Sequence, residues 1–498
     1  MTSLPWWAIR RTLAPGARQS LRVAAAAADH RLSVASAAEE SPDAPALLVA
    51  ARDAGSAGDD RLWTYRQLEA AVGDVPRPDR AFALVGERTL DVSLRLYAAW
   101  QAGVPVVPMH PRWTPSERSA FVAALEVPTE EGENPVESSG SVDPESILAV
   151  VATSGSSGAP RGVALSRRAV LAAADASAAN LGWRRSAGGP DQDHQDDRWL
   201  VTLPLAHVGG LSILLRCLVG RACAVLPPPG TRFEAGTARA WIERFEITLL
   251  SVVPSMLRRL LDDPAPAPPS LRAVLVGGAP APAALLQAAR TRGWPVLATY
   301  GLSEACAQVA TERPDAPRAD GSVGPALPGV AARIESDGVL AVGGPTLMSG
   351  YVPSARPGSG LGSREATPWL RTGDLARIDP VDGSLRILGR ADSMLVSGGE
   401  NVQPQEVEAA LADHPGVDEV CVVGVDDPTW GQRVVAVVAP RAGQLPALDD
   451  LRRLLAGRLA AFKHPRALVV VDALPRLLSG KVDRRTVARL AAADLGVG

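Results

Sequence analysis

The sequence predicts an α/β protein: a large N-terminal domain of stacked, mostly parallel sheets with helices plus a small β-rich subdomain, followed by a small α+β C-terminal domain. Three observations predict this. From Ala46 onward, apolar runs of strand length alternate with helical spacings, the pattern of parallel sheets covered by helices. Around Gly338–Tyr351 the chain changes to short β pieces with many glycines and few helix formers. After Asp392 it restarts with its own helices and strands, about 105 residues, enough for a small domain. The expected boundaries are 1–391 for the large domain, with the β-rich subdomain over about 320–391, and 392–498 for the small one.

Taken in order, Ala46–Ala50 reads as a strand, and a Gly/Asp turn leads to Leu62–Leu68, where Thr64 is the N-cap of a helix. Ala81–Val85 is a short strand. Val92–Ala102 carries Leu94, Leu96, Tyr97 and Trp100 at mixed helical spacing, and Gly103 ends it. Val104–Met109 and Ile147–Ala152 follow as strands. Trp199–Leu203, Ala222–Leu226, Ile247–Val253, Leu271–Val276 and Val296–Thr299 are further strands, with Arg239–Phe245 and Pro282–Arg290 helical between them. Glu126–Ser146, Arg184–Arg198 and Asp262–Ser270 are polar or proline-rich and read as solvated connectors. In the last part, Gln403–Glu408 opens a helix with Pro404 at its first position and acids in its first turn. Val407, Ala410 and Leu411 share a face of it. Cys421–Val425 and Val434–Ala439 read as strands, Leu451–Leu459 as a helix, and Ala467–Val471 as a last strand.

Composition narrows the function. Of the 498 residues 46% are hydrophobic and 21% charged, proportions of a globular protein, and the length calls for two to four domains. With 51 basic against 54 acidic residues, the net charge of −3 argues against a nucleic-acid partner. Cys217, Cys223, Cys306 and Cys421 form no CxxC pair and read as small buried hydrophobes in a reducing compartment. The six histidines make no zinc spacing. No apolar run reaches the roughly 18 residues of a membrane span. Trp6-Trp7-Ala8-Ile9 precedes Arg10 and Arg11, the reverse of a secretory signal. A cytoplasmic enzyme or binding protein is expected, with no stable membrane insertion.

The chemistry centres on Thr153-Ser154-Gly155-Ser156-Ser157-Gly158-Ala159-Pro160-Arg161-Gly162. Glycines let backbone N–H groups curl around an anion, hydroxyls add donors, and Arg161 offers a fork suited to phosphate oxygens. Alone, the segment reads equally well as a Ser/Gly linker, and no Gly-Lys-Ser/Thr of a P-loop follows.

Four more motifs follow it in order: Tyr300-Gly301-Leu302-Ser303-Glu304; Arg371-Thr372-Gly373-Asp374; Gly389-Arg390-Ala391-Asp392 with Ser397-Gly398-Gly399-Glu400-Asn401; and Ser479-Gly480-Lys481-Val482-Asp483-Arg484. Together the five resemble the signatures of the adenylate-forming superfamily of acyl- and aryl-CoA synthetases, adenylation domains and luciferases, from about residue 40 to the end. The resemblance implies a carboxylic acid–CoA ligase using ATP, Mg²⁺ and coenzyme A. It also implies that the C-terminal domain is mobile, with Asp392 as its hinge.

The resemblance carries roles to particular residues. Lys481 becomes the cation that steadies charge on the α-phosphate, a preorganised donor worth on the order of 3 kcal/mol. Glu304 becomes the carboxylate that holds Mg²⁺ against phosphate oxygens, and His207 lines the acyl pocket. Thr153, Ser154, Gly155, Ser156, Ser157, Gly158 and Arg161 cradle phosphates. Gly278, Ala279, Tyr300, Gly301 and Ser303 surround adenine and acyl group, with Tyr300 offering a stacking plane. Asp374, an acceptor-only group, grips the ribose hydroxyls, with Arg390 beside the hinge. Gly398 and Gly399 clear a passage for the pantetheine arm. Ser156-Ser157 stand where threonines are commoner, and Ala159 and Arg161 where lysines are commoner, so slower or altered phosphate handling is expected at most.

For the acid, Ser397–Pro404 and Tyr300–Thr311 resemble the o-succinylbenzoate–CoA ligases of menaquinone biosynthesis. An aryl keto acid with a second carboxylate needs an apolar slot and a donor cluster, for which Ser303, Gln308 and Arg216 are candidates. A medium-chain or aryl acyl-CoA ligase of another pathway is one alternative, and a non-catalytic acyl-adenylate-binding module another. The partner is a small-molecule carboxylic acid, and a homodimer is open to the chain.

Overall fold

The computed structural model describes residues 30–51, 60–78, 80–125, 145–154, 160–183, 196–318, 320–352, 369–397, 400–477 and 480–497. The first sheet has eight strands in the order Ala310–Thr311, Val296–Tyr300, Ala273–Val276, Leu249–Val252, Arg198–Leu200, Cys223–Leu226, Pro45–Val49, Arg61–Thr64. Its inner pairings are parallel and only its two edge pairings are antiparallel. The inner strands Ala273–Val276, Leu249–Val252 and Cys223–Leu226 are buried at every position because both faces are covered. Leu47, Ala224, Leu249, Leu275 and Leu297 face one core cluster, while Leu48, Val225, Leu250, Val274 and Val276 face another.

The second sheet runs Gly350–Val352, Pro160–Ser166, Ile147–Ser154, Val106–Met109, Phe82–Val85. Leu148, Val151, Val163 and Leu165 from it share the first core cluster with the helices Leu90–Ala102, Arg167–Leu181 and Val208–Gly220. Half of this sheet departs from the parallel expectation. Ile147–Ser154 and Pro160–Ser166 pair antiparallel, with Ser154 opposite Pro160, because the link between them is far shorter than the dozen or so residues a parallel crossover needs.

A third sheet, Ala331–Ile334, Val339–Gly343, Trp369–Ile378, Leu385–Arg390, is antiparallel throughout. The last sheet runs Glu400–Val402, Leu395–Ser397, Gly431–Pro440, Val417–Asp427, with Ala467–Val470 added parallel to Gly431–Pro440. Helices cover both of its faces. Pro404–Leu411 and Leu448–Leu455 pack on Val422, Val434, Ala436 and Val438, while Arg484–Asp494 packs on Cys421, Val423, Val435 and Val437.

Local signals account for the element ends. Thr64 caps Tyr65–Gly73 through a capping box, its own N–H donating to Gln67 Oε1 at 3.0 Å. Gly103 closes Leu90–Ala102 in the left-handed region at φ 71°. Pro404 opens Pro404–Leu411, with Val407 and Leu411 buried, as the sequence predicts. The helix expected over Leu451–Leu459 instead spans Leu448–Leu455. The carboxylate of Asp450 accepts the Ala447 N–H at 3.3 Å and starts it early, and Ala456 leaves helical geometry at ψ 128°, so Leu459 falls beyond its end. All four cysteines are buried and unpaired. Among the described residues, no helix is long and apolar enough to cross a membrane.

Candidate active site

Three loops emerge at the carboxyl ends of parallel strands of the first sheet, the usual ligand position in an open α/β sheet. His207 lies beyond Arg198–Leu200, Gly278 and Ala279 beyond Ala273–Val276, and Tyr300 at the end of Val296–Tyr300. Gly278 turns at φ 77° and is exposed together with Ala279.

After Tyr300 the chain folds back sharply. A Cβ on Gly301 would lie 1.4 Å from the Ala307 carbonyl oxygen, so only glycine fits. Ser303–Ala305 forms one 3₁₀ turn, and Cys306 and Ala307 then hold positive φ values of 54° and 89°, a concentration of strain typical of functional loops. Glu304 is half-buried in this turn. Its backbone carbonyl accepts from Met348 N–H at 2.8 Å, and its Oε1 accepts from Tyr351 Oη–H at 2.8 Å.

Tyr300 Oη donates to Asp374 Oδ2 at 2.6 Å. Burial raises both groups, the phenol well above its ordinary value and the carboxyl more modestly, because Tyr300 and Arg390 oppose the rise at Asp374. Arg390 reaches Asp374 Oδ1 at 3.5 Å and the Thr372 carbonyl at 3.0 Å, and it grips Asp392 with Nε and Nη2 at 3.1 and 3.0 Å. That fork holds the Asp392 carboxyl below its usual range. Tyr300, Asp374, Arg390 and Asp392 thus form one connected chain of side chains.

The phosphate-loop candidates flank a hairpin. Thr153 and Arg161 are paired across its strands, and the Arg161 guanidinium lies 5.4 Å from the Tyr351 ring centroid. Gly155, Ser156, Ser157 and Gly158 lie outside the described residues, and Ser154 is described by its backbone alone. Gly398 and Gly399 also lie outside them, between the paired strands Leu395–Ser397 and Glu400–Val402.

His207 is the N-cap of Val208–Gly220 without a capping bond from its side chain. Its Nε2 is buried and has no hydrogen-bond partner among the described residues. Its ring stands 5.1 Å from that of His110, a buried residue that sequence reasoning did not single out because the pair is made by two distant elements. Burial first, then the nearby charges of His110 and Lys481, push His207 down to about 4. Lys481 is exposed in the turn bridged by Arg476 and Val482, and its charge is felt at His207. The chain holds only two lysines, against 49 arginines. Lys463 is bound to Glu406 at 2.6 Å, whereas Lys481 makes no ion pair among the described residues.

Of the three donor candidates, Gln308 spends its amide nitrogen on Thr311 Oγ1 at 2.8 Å, leaving a buried acceptor in place of a donor. Ser303 opens the Glu304 turn. Arg216 is 3% exposed, and its Nε and Nη2 have no partner among the described residues. Its guanidinium lies 5.5 Å from the Trp199 ring centroid, and burial lowers it to about 10, so it stays charged at neutral pH. It borders a cavity of about 20 Å³ between Val208–Gly220 and the Glu304 turn, walled by Leu165, Val170, Leu211, Leu215 and Cys306.

Among the described residues, no three His, Cys, Asp or Glu side chains gather as a metal cluster. A lone carboxylate such as Glu304 nevertheless fits Mg²⁺, which keeps most of its ligands as water and phosphate oxygens and takes one or two from protein.

The family model for AMP-binding enzymes matches residues 123–352, and that for the AMP-binding enzyme C-terminal domain matches 406–481. The 2-succinylbenzoate–CoA ligase of Geobacillus kaustophilus is 37% identical over 362 residues, 70% of each chain. That of Bacillus pumilus is 30% identical over 468 residues, 85% of this chain and 92% of the relative. The structure of o-succinylbenzoate CoA synthetase from Bacillus subtilis with its acyl-adenylate intermediate superposes with a TM-score of 0.76 at 28% identity, over 91% of this chain and 97% of that one. ATP-bound MatB from Rhodopseudomonas palustris gives 0.77 at 26% identity, over 94% and 99%. The chain therefore belongs to the AMP-binding, adenylate-forming enzymes that its five ordered motifs resemble, and within them it is similar to the 2-succinylbenzoate–CoA ligases.

Proposed function

We propose that the chain is an ATP-dependent acid–thiol ligase that joins 2-succinylbenzoate to coenzyme A through an acyl-adenylate. In the first half-reaction a substrate carboxylate oxygen attacks the α-phosphorus of ATP, the α–β anhydride bond breaks, and pyrophosphate leaves. In the second, the coenzyme A sulfur attacks the acyl carbonyl, the C–O bond to AMP breaks with its electron pair on the phosphate oxygen, and the thiol proton passes to solvent. Relatives and structures of this name, including ones with ATP and Mg²⁺ and with AMP, support the reading.

In this reading Lys481 stabilises charge at the α-phosphate, and neutral His207 lines the acyl entrance. Tyr300 bounds the adenine site with Gly278, Ala279, Gly301 and Ser303, and Asp374, steadied by Tyr300 and Arg390, receives the ribose. Thr153, Arg161 and the loop between them take the phosphates. Mg²⁺, when bound, supplies neutralisation of phosphate charge, and Glu304 would hold it. We divide the chain into 1–391 and 392–498, with Asp392 as hinge and Gly398-Gly399 as the pantetheine passage. The unpaired cysteines support a cytoplasmic setting.

The observation that carries the choice of acid is Arg216. A buried cation with two unpartnered nitrogens, Nε and Nη2, is costly to keep in an apolar wall unless an anion completes it. A monocarboxylic acid spends its only carboxylate at the α-phosphate, whereas 2-succinylbenzoate brings a second one for Arg216. The cavity holds little more than a water, so Leu211 and Leu215 must shift to admit the aromatic ring.

Pyrophosphate release measured over 2-succinylbenzoate, benzoates and fatty acids, with and without coenzyme A, tests this. 2-Succinylbenzoate should lead, and Arg216→Met should raise its KM by about 30-fold or more while leaving the KM of ATP in place. Turnover of simple acids with 2-succinylbenzoate inert would overturn the assignment.

A further inference from the structure

Tyr351 touches both ends of the phosphate-handling machinery. Its short strand Gly350–Val352 pairs antiparallel with Pro160–Ser166, placing Tyr351 opposite Val163, two residues beyond Arg161. Two backbone bonds fix the approach to it: Ser349 N–H donates to the Ala164 carbonyl at 2.9 Å, and Met348 N–H to the Glu304 carbonyl at 2.8 Å. The ring carries the Arg161 guanidinium 5.4 Å from its centroid, and the phenol donates to Glu304 Oε1 at 2.8 Å. Glu304 Oε2 has no hydrogen-bond partner among the described residues. A phenol keeps its proton at neutral pH, so Tyr351 acts as the donor in this bond.

We propose that Tyr351 is a positioning residue for the adenylation step. Its hydroxyl fixes the Glu304 carboxylate through Oε1 and leaves Oε2 as the acceptor for Mg²⁺, while its ring seats Arg161 beside the phosphate loop. One side chain thereby sets the spacing between the metal-binding acid and a phosphate-binding cation. A freely rotating Glu304 would lose rotamer entropy each time the metal arrives, and the phenol removes that cost in advance. The inference rests on the reading of Glu304 as the Mg²⁺ ligand given above.

Isothermal titration of ATP into the full-length protein without acid substrate, in Mg²⁺ and in EDTA, separates the two. Tyr351→Phe keeps the ring and removes the donor. It should weaken ATP binding in Mg²⁺ by about 5- to 10-fold, leave binding in EDTA and the melting curve as in the wild type, and add nothing in a Glu304→Gln background. Tyr351→Leu, which also removes the seat of Arg161, should weaken binding in EDTA as well, by about two- to fivefold. If Glu304→Gln itself leaves the Mg²⁺ enhancement intact, the metal-ligand reading fails and the proposal falls with it. If Glu304→Gln abolishes the enhancement while Tyr351→Phe binds MgATP like the wild type, the ligand reading stands and the positioning role of Tyr351 is refuted.

Discussion

The imidazole at position 207 is kept neutral by its surroundings. It is enclosed, faces the ring of another buried histidine, and feels the Lys481 ammonium, and each of these disfavours a second proton. An unfolded histidine titrates near 6.5, the folded one near 4, so between those values the unfolded chain binds more protons than the folded one. The stabilising contribution is therefore full above about pH 6.5 and is lost as pH falls toward 4. Urea unfolding at pH 7.5 and pH 5 should show the wild type losing about 1–2 kcal/mol more than His207→Gln across that interval. Equal losses would mean that His207 is not held neutral by the fold. In the proposed mechanism the same neutrality suits His207 at the acyl entrance, because a charged imidazolium there would compete with Lys481 for the anion.

At the scale of elements, the turn from Gly301 to Ala307 brings Glu304 within reach of Tyr351, and it does so through a backbone contact that excludes any side chain at position 301. Gly301→Ala should lower stability by about 1–3 kcal/mol, since the Ala307 carbonyl must move. A denaturant midpoint unchanged from the wild type would show that the turn yields without cost. Part of this architecture is legible in the sequence. The parallel strands stand out because burial on both faces makes them unbroken apolar runs, and Thr64, Gly103 and Pro404 mark helix ends by capping chemistry that acts locally. Glu304, Asp374 and Lys481 are named by the motifs that resemble the family's signatures, in which Gly373 and Gly480 immediately precede Asp374 and Lys481. Other features have no local signal. Val208–Gly220 is buried on every side from Gly210 to Val219, and its apolar residues therefore do not mark out one face. His110 and Tyr351 look like ordinary strand residues until the second sheet brings them against His207 and Glu304. Gln308 shows the converse: a polar residue in a motif whose donor is consumed by a neighbouring threonine.

Across the whole molecule, the position of Lys481 depends on how the last sheet sits against the first. Arg258, on the helix Pro254–Leu260 of the large part, donates through Nη1 to Asp418 Oδ1 at 2.9 Å and also to the Asp418 carbonyl, at the start of Val417–Asp427. The charge of Lys481 is felt at His207 while this contact is made, and within the proposed mechanism we assign the contact to the pose in which the ammonium serves adenylation. On the proposed hinge at Asp392, a swing that brings Gly398-Gly399 to the active site parts Arg258 from Asp418. The pair is partly exposed, at 34% and 47%, and such pairs contribute about 0.2–1 kcal/mol. Asp418→Ala should accordingly slow single-turnover pyrophosphate release by up to about fivefold, and leave thioester formation from supplied acyl-adenylate undiminished or somewhat faster. A variant slowed equally in both half-reactions would show that Asp418 supports the fold of the C-terminal unit and does not bias its pose. Because the ion pair weakens with salt while the covalent hinge does not, the ratio of the two half-reaction rates in the wild type should also drift toward thioester formation as ionic strength rises, and Asp418→Ala should abolish that drift.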